Sequence, residues 1–518
     1  MTELLPGGGP APRGGAAPEL VESGFHLENA DAPFLHHGLN LADIAHVLDL
    51  RRRGLVPSGV DRTLLALLLD TEAVPAEEFP YDPSYGEPYN SREAYFVSRV
   101  GDVAGWLHAG RPRREAVRIA LRIHVRRQIA ELAAEAARFA ATAAERSAEH
   151  RRTVMPDQTY LQQAQPSTFG HYLLSFAYPA LRDARRLLGE LEEIDCSPGG
   201  AGCVNGTRLL DDRAVVADLL GFPAVIEHTR DAMWQVDGFV HVLATAASLV
   251  STLSKLAEDL EIWASAEFDF VDLADGFTRA SVLMPQKRNP YSLAIVRGAC
   301  GVLIGRISGF LAVAKSPSAR SDNLIYAYGE VPRALDLALR ITRLATGVVG
   351  TLRVHADRMA EEVHRGYSQA TDLAEHLVQT CDIDYRSAYL VVGRTVRAAA
   401  RDGVPGVAIT GERVDEAARE HLGRPLGVSG TDLSAVLDPW RIVLSRSATG
   451  GAAPDEVERM ATDVRERAAE SAEVAERRLG DFGDSERTLL AAARAVVAHD
   501  QPHEAAGDDA PGLRKESS

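Results

Sequence analysis

Residues 231–267, DAMWQVDGFVHVLATAASLVSTLSKLAEDLEIWASAE, run past thirty positions without a proline and place apolar side chains at helical spacing. That pattern predicts one long amphipathic helix. Such a helix exceeds the usual three to four turns and buries its apolar stripe only against neighbours of similar length. The neighbours are present. Arg114–Glu149 is Ala-rich and studded with Arg and Glu, and Thr168–Glu193, Leu293–Val313 and Glu330–Leu352 repeat the pattern. Leu39–Arg52 and Asp61–Leu69 are shorter amphipathic segments, and Asp61 suits a helix N-terminus. Strand-like alternation is scarce. The expected fold class is all-α, an elongated bundle of long helices whose surplus apolar faces become subunit interfaces.

The breaks between these segments suggest domains. The 518 residues exceed what one simple core accommodates. Residues 1–24, rich in Gly, Pro and Ala, read as a disordered tail. Residues 80–88 (PYDPSYGEP) and Arg111-Pro112-Arg113 are irregular, and residues 195–206 (DCSPGGAGCVNG) form a Gly-rich loop. After Arg358 the helices shorten. The expected division is an N-terminal helical domain over 25–115, a central long-helix domain over 116–369 and a C-terminal helical domain over 370–482. A helix and charged tail follow over 483–518.

Composition narrows the function classes. Hydrophobic residues make up 46% and aromatics 6%, which suits a globular helical protein. A formal net charge of -17 argues against a nucleic-acid footprint but leaves room for an anionic small molecule bound by local positive charge. Cys196, Cys203, Cys300 and Cys381 are too sparse for a disulfide scaffold and suit reduced thiols in the cytoplasm. No metal site is expected, because His36-His37 reads as a surface pair without ligand partners and Cys196/Cys203 lack a second close pair. No secretory segment and no uninterrupted apolar run of about 18 residues is visible, so no membrane span is expected.

Three stretches at helix ends or in loops carry polar chemistry. They are residues 107–114 (LHAGRPRR), 153–166 (TVMPDQTYLQQAQP) and 280–289 (ASVLMPQKRN). The third has a clear logic. β-Elimination next to a carboxylate needs a base for the Cβ proton and stabilisation of the charge that develops on the carboxylate. Ser281 becomes a base only where cations and amide donors stabilise its alkoxide. Lys287, six residues on, and the loop's N–H groups can do that, and Asn289 can hold a carboxylate.

The residues here reach a resemblance. SVLMPQKRNP resembles the SSxMPxKxNP loop of the fumarase/aspartase superfamily. TYLQQAQPSTFGHYLLSF is similar to the THLQ-AQP-TFGH segment of argininosuccinate lyases, and LHAGRPRRE to their LHTGRSRND. Residues 445–454 (SRSATGGAAP) are similar to their SR-SYGG-AP turn. The resemblance covers roughly residues 35–470, with four motifs in order. It implies three mostly helical domains, a homotetramer around long central helices, and active sites built from loops of three subunits. It implies anti elimination from a succinyl group, releasing fumarate, with no metal or organic cofactor. Carried over by residue, Ser281 is the base, Lys287 and Asn289 bind substrate, Thr159 contacts a carboxylate, and Arg113 is the arginine of the first loop. Arg114, Met284 and Gln165 fall inside the matching motifs and join the substrate-binding set.

The departures matter as much. The family's acid-side histidine is Tyr160 here, and the glutamate that orients it falls at Ala294. A tyrosine with a reference pKa of about 10 is a weaker acid than imidazolium but can still donate a proton. An earlier histidine aligns approximately with Tyr89, and the asparagine of the first loop is Arg114. Residues 320–328 (RSDNLIYAY) match poorly the segment that holds the arginine end of argininosuccinate. These losses argue for another leaving group. Arg279, Arg288, Arg113 and Arg114 crowd positive charge near the loops, which suits a more anionic or less basic leaving portion, such as a nitro, hydrazino or carboxylated amine substituent. The expected function is a carbon–nitrogen lyase acting on an N-substituted aspartate. The alternatives are a non-catalytic helical family member, or a C–O lyase or cycloisomerase of the same superfamily. His171 reads as a core or supporting residue.

Overall fold

The computed structural model describes residues 16–316 and 321–498, and the side chains of 321–323 are not among them. The first fifteen residues of the expected N-terminal tail, the charged residues 499–518 and Arg320 therefore lie outside the described residues. From Pro18 the chain is helical, with short turns over Pro18–Leu20, Val21–Phe25 and His26–Asn29.

The chain divides into two compact units. The first comprises residues up to Leu121, Ser197–Met233 and residues from Gly483 on. Its longer helices are α1 (Ala32–Arg52), α2 (Val60–Glu72), α3 (Pro88–Val100) and the first turns of α4 (Arg113–Glu149). Leu39, Ile44, Val47, Leu64, Leu65, Leu68 and Phe96 form its core. Fully burying a leucine contributes about 1.5–3 kcal/mol. α1 also approaches α4 closely, because a Cβ on Gly38 would lie 2.5 Å from the Ala120 Cα. Of the pair the sequence placed at the surface, His37 is exposed and His36 is buried. His36 is buried between the Tyr81 hydroxyl and the Val74 carbonyl, and His37 sits beside Glu72 and Glu486.

The second unit comprises Arg122–Cys196 and Trp234–Phe482. After the rest of α4 come strands β1 (Val154–Thr159) and β2 (Gln162–Thr168), then helices α5 (Phe169–Ile194) and α6 (Asp237–Trp263). Two-residue strands β3 (Arg279–Ala280) and β4 (Arg288–Asn289) precede α7 (Tyr291–Ala314), α8 (Glu330–Thr351) and α9 (Ala356–Arg365). α6 is the central helix. It buries Phe239, Val242, Leu243, Ala246, Leu249, Val250, Leu253, Leu256, Leu260 and Trp263, a stripe that returns every three or four residues, and packs against α5, α7 and α8. The expected helix over 231–267 is thus shorter at both ends. Val236 leaves helical geometry before Asp237, an acid suited to the restarted N-terminus. After Trp263 the chain turns back, the Phe270 N–H reaching the Trp263 carbonyl and Asp269 taking a positive φ.

Helices α10 (Ala370–Thr380), α11 (Tyr385–Arg401), α12 (Gly411–Leu422), α13 (Gly430–Val436) and α14 (Pro439–Ser445) follow, and a shared core includes Leu373, Leu377, Val391, Val414 and Leu433. α15 (Pro454–Ala498) then runs 45 residues, roughly 67 Å. The architecture is mostly helical, as expected. Among the described residues two helices, α6 and α7, are long and apolar enough to cross a membrane by length and composition. α6 is a core helix, whereas α7 leaves Tyr291, Ile295, Val302, Ile304 and Leu311 exposed.

Candidate active site

The 280–289 stretch folds as a small hairpin. Arg279 pairs with Asn289 and Ala280 with Arg288. The ladder extends one rung further, because the Ser281 N–H donates to the Lys287 carbonyl at 3.4 Å. The tip closes tightly. The Lys287 N–H reaches the Met284 carbonyl at 3.0 Å, and the Met284 N–H donates to Ser281 Oγ at 3.0 Å. An N–H aimed at that oxygen favours its anionic form. Asn289 Nδ2 donates to the Arg279 carbonyl at 3.1 Å, so its amide is oriented. Val282 and Leu283 are 109% and 85% exposed at the tip. The other strand face carries Arg288, bound to Asp272, Asp275 (2.6 Å) and the Leu273 carbonyl (3.0 Å). Despite some burial, Arg353 and Arg288 hold the Asp272 carboxyl below the usual carboxylate range.

The 153–166 stretch, expected as loop, is largely a β-hairpin. Thr159 pairs with Gln162, leaving Tyr160 and Leu161 as a two-residue turn with φ of 55° and 59°. Two-residue hairpin turns with both φ positive favour Asn and Gly, so this turn is strained by roughly 1–3 kcal/mol per residue. Its flanks are anchored. Trp263 Nε1 donates to Gln158 Oε1 at 3.3 Å, and Gln163 Nε2 to the Glu362 carbonyl at 3.2 Å. Thr168 caps α5 by accepting the His171 N–H, and the His171 ring touches Ser167 Oγ (3.2 Å) and the Gly450 carbonyl (3.0 Å). Thr159 and Gln165 are exposed, and Tyr160 is 99% exposed at the tip. Ala294 is exposed in the first turn of α7.

Ser281, Met284, Lys287 and Asn289 are thus together on one hairpin, and Thr159, Tyr160 and Gln165 on another. Among the described residues no hydrogen bond or ion pair joins the two sets. Arg113 and Arg114 belong to the first unit, at the start of α4. Arg113 is paired there with Glu87 (2.7 Å) and donates to Asn90 Oδ1 (3.1 Å). Nearby Glu28 is pushed up to about 7 by burial and by Glu87, against Arg114 and Arg113.

Sequence reasoning missed two supports of the first loop. Asp43, on α1, is buried between Arg92 (2.8 Å) and Arg111. Against the burial, Arg111 and Arg92 hold its carboxyl below the usual range. Tyr89, the counterpart of the earlier histidine, is buried in this cluster, its hydroxyl donating to Asp43 Oδ1 at 3.2 Å and accepting from Arg111 at 2.9 Å. Next, Glu115 accepts the N–H groups of Gly200 (2.8 Å) and Gly202 (2.7 Å), tying the Gly-rich loop to α4. Both glycines have positive φ. Acids spaced irregularly from their partners leave no short motif to detect. Among the described residues no group of three or more His, Cys, Asp or Glu is placed to hold a metal ion.

Residues 82–305 match a family model described as lyase, and residues 367–443 one described as argininosuccinate lyase C-terminal. The argininosuccinate lyase of Methanoculleus marisnigri is 34% identical over 421 residues, covering 80% of this chain and 84% of its own. Among solved structures, a variant of EDDS lyase with bound fumarate aligns with a TM-score of 0.83 and 27% identity, over 93% of this chain and 96% of its own. The 3-carboxy-cis,cis-muconate lactonizing enzyme of Pseudomonas putida shares the fold alone, at TM-score 0.67 and 19% identity, over 86% of this chain and 95% of its own. With a relative this similar over four-fifths of its length, the chain belongs to the argininosuccinate lyase family of the fumarase/aspartase superfamily and is a carbon–nitrogen lyase.

Proposed function

We propose that the enzyme eliminates an amine-type group from an N-substituted aspartate, giving fumarate, with Ser281 as the general base. The Ser281 Oγ takes the Cβ proton, the electron pair becomes the Cα–Cβ double bond, and the C–N bond breaks. Lys287 and Asn289 hold the carboxylate on which charge develops, with Thr159 contacting a carboxylate and Met284 and Gln165 lining the substrate. Tyr160 supplies a proton to the departing nitrogen, and Arg113 and Arg114 bind substrate from the first loop. The observation that carries this reading is the hairpin itself. One rung pairs Ser281 with Lys287, and the Met284 N–H is aimed at the base oxygen.

Argininosuccinate is not the substrate in this reading. The acid and its orienter are replaced together by Tyr160 and Ala294, so the departing group is one that leaves without an imidazolium. The bound fumarate of the EDDS lyase variant supports the product. The enzyme acts as a homotetramer in which three subunits supply the loops of each site. Two observations support this. The Ser281 and Tyr160 hairpins project exposed tips, and α7 presents an apolar face on which Gly298, Gly301, Gly305 and Gly309 have nothing within 4 Å. Four free thiols suit a cytoplasmic enzyme. No cofactor is invoked, and the partners are a small dicarboxylate substrate and other copies of the chain.

The test is Ser281→Ala. Fumarate formation from an N-substituted aspartate, followed by ultraviolet absorbance, should fall by a factor of about 10²–10⁴ or more, the usual range for a lost acid–base group. An unchanged rate removes the base assignment.

A further inference from the structure

The positive charge around the Ser281 hairpin is unevenly available. Arg288 is occupied by Asp272 and Asp275, and Arg297 by Glu258 and Glu261. Among the described residues, Arg279 and Lys287 have no carboxylate partner. Both are exposed. The register decides where they point. Successive strand residues alternate between faces, and residues opposite each other share one. The rungs Arg279/Asn289, Ala280/Arg288 and Ser281/Lys287 therefore put Arg279, Asn289, Ser281 and Lys287 on one face and Arg288 on the other. The contacts agree, since Arg288 reaches its acids while the Arg279 guanidinium lies 4.9 Å from the centre of the Tyr291 ring. Stacking on an aromatic face holds an arginine while leaving its N–H edge open.

We infer that Arg279 binds the second carboxylate of the succinyl skeleton, the one that Lys287 does not hold. The inference rests on the lyase reading above and deepens it. Two residues of strand separate Arg279 from Ser281, about 7 Å. Two cations at either end of that interval can grip the two ends of an extended four-carbon diacid. The direction of elimination excludes the other candidate, a charged leaving group. In the anti elimination implied by the family, the base and the departing nitrogen lie on opposite sides of the Cα–Cβ bond. A cation on the base's own hairpin face is directed at the diacid and not at the group that leaves. Asn289 couples the two halves, since its amide donates to the Arg279 carbonyl.

The experiment compares fumarate with crotonate, which has one carboxylate replaced by methyl, by calorimetric binding to the full-length protein. The wild type should prefer fumarate at least about tenfold, as a charge-assisted bidentate contact implies. Arg279→Met should bring the ratio close to one, and Arg279→Lys should retain part of it. A ratio unchanged in Arg279→Met, or no preference in the wild type, overturns the assignment. A second arm measures kcat/KM for N-carboxymethyl- and N-ethyl-aspartate. Arg279→Met should lower both by the same factor, and a loss confined to the carboxymethyl substrate would move Arg279 to the leaving group and overturn the proposal. Failure of the wild type to release fumarate from either would exclude these two compounds as substrates, and the fumarate-to-crotonate ratio would then decide the role of Arg279 by itself.

Discussion

Glu115 makes the pH response of the Gly-rich loop predictable. Its carboxylate is buried and accepts one backbone N–H on each oxygen, from Gly200 and Gly202. Burial pushes its pKa from 4.5 up to about 7, against the Gly200 N–H, Arg111, the Gly202 N–H and Arg213. When the loop opens, water reaches the carboxylate and the ordinary value returns. Between these two values the closed state binds more protons than the open one, so closure weakens as pH rises. From about pH 5 to about pH 8 the closed loop loses roughly 2–3 kcal/mol at 1.36 kcal/mol per pKa unit. Glu115→Gln removes the titration. It also leaves one N–H without an acceptor, which costs about 1–3 kcal/mol at every pH. The assay is amide hydrogen exchange over residues 197–206 in both proteins, corrected for the intrinsic pH dependence of exchange. Protection in the wild type should fall by a factor of roughly 30–150 between the two pH values, and in Glu115→Gln by little. Equal pH dependence in the two proteins would refute the reasoning.

Three further outcomes follow from the same geometry. Asp43→Ala leaves Arg92 and Arg111 buried without their counter-charge and should lower stability by about 3–5 kcal/mol in urea unfolding, and a loss under about 1 kcal/mol would contradict the buried pairing. Tyr160→Phe should change stability by less than about 0.5 kcal/mol, because the side chain is exposed, yet slow elimination substantially; an unaltered rate removes the proton-donor role. Argininosuccinate should give no appreciable fumarate absorbance with the purified enzyme, and robust turnover would restore it as the substrate.

The long helices up to residue 352 were legible because one periodic signal specifies each of them, whereas the 45 residues of α15 contradict the expected shortening of helices after Arg358 and run across the expected boundary at 482. Phe239 to Trp263 repeat at three and four, and Thr168 announces α5 with its cap. The elements carrying the site were not legible. A hairpin is recognised from its turn residues, and the turn over Tyr160 and Leu161 has none of the usual ones. The second hairpin, β3–β4, has strands of two residues, below the length at which alternation can be read.

Charge was the harder quantity. A sequence shows Arg113, Arg279 and Arg288 as equivalent cations near the loops, and their crowding read as evidence for an anionic leaving group. Their partners lie at separations no motif records: Glu87 for Arg113, and Asp272 and Asp275 for Arg288. Once these pairs are taken out, the charge available on Ser281's own hairpin reduces to Lys287 and Arg279, which share a strand face with Ser281. With Ser281 as the proposed base, that face meets the substrate on the side from which the proton is removed. The positive charge of the hairpin therefore speaks to the diacid common to the superfamily's chemistry. In the proposed reaction, the identity of the departing group turns instead on Tyr160 and Ala294, which stand where the resemblance puts the acid and its orienter.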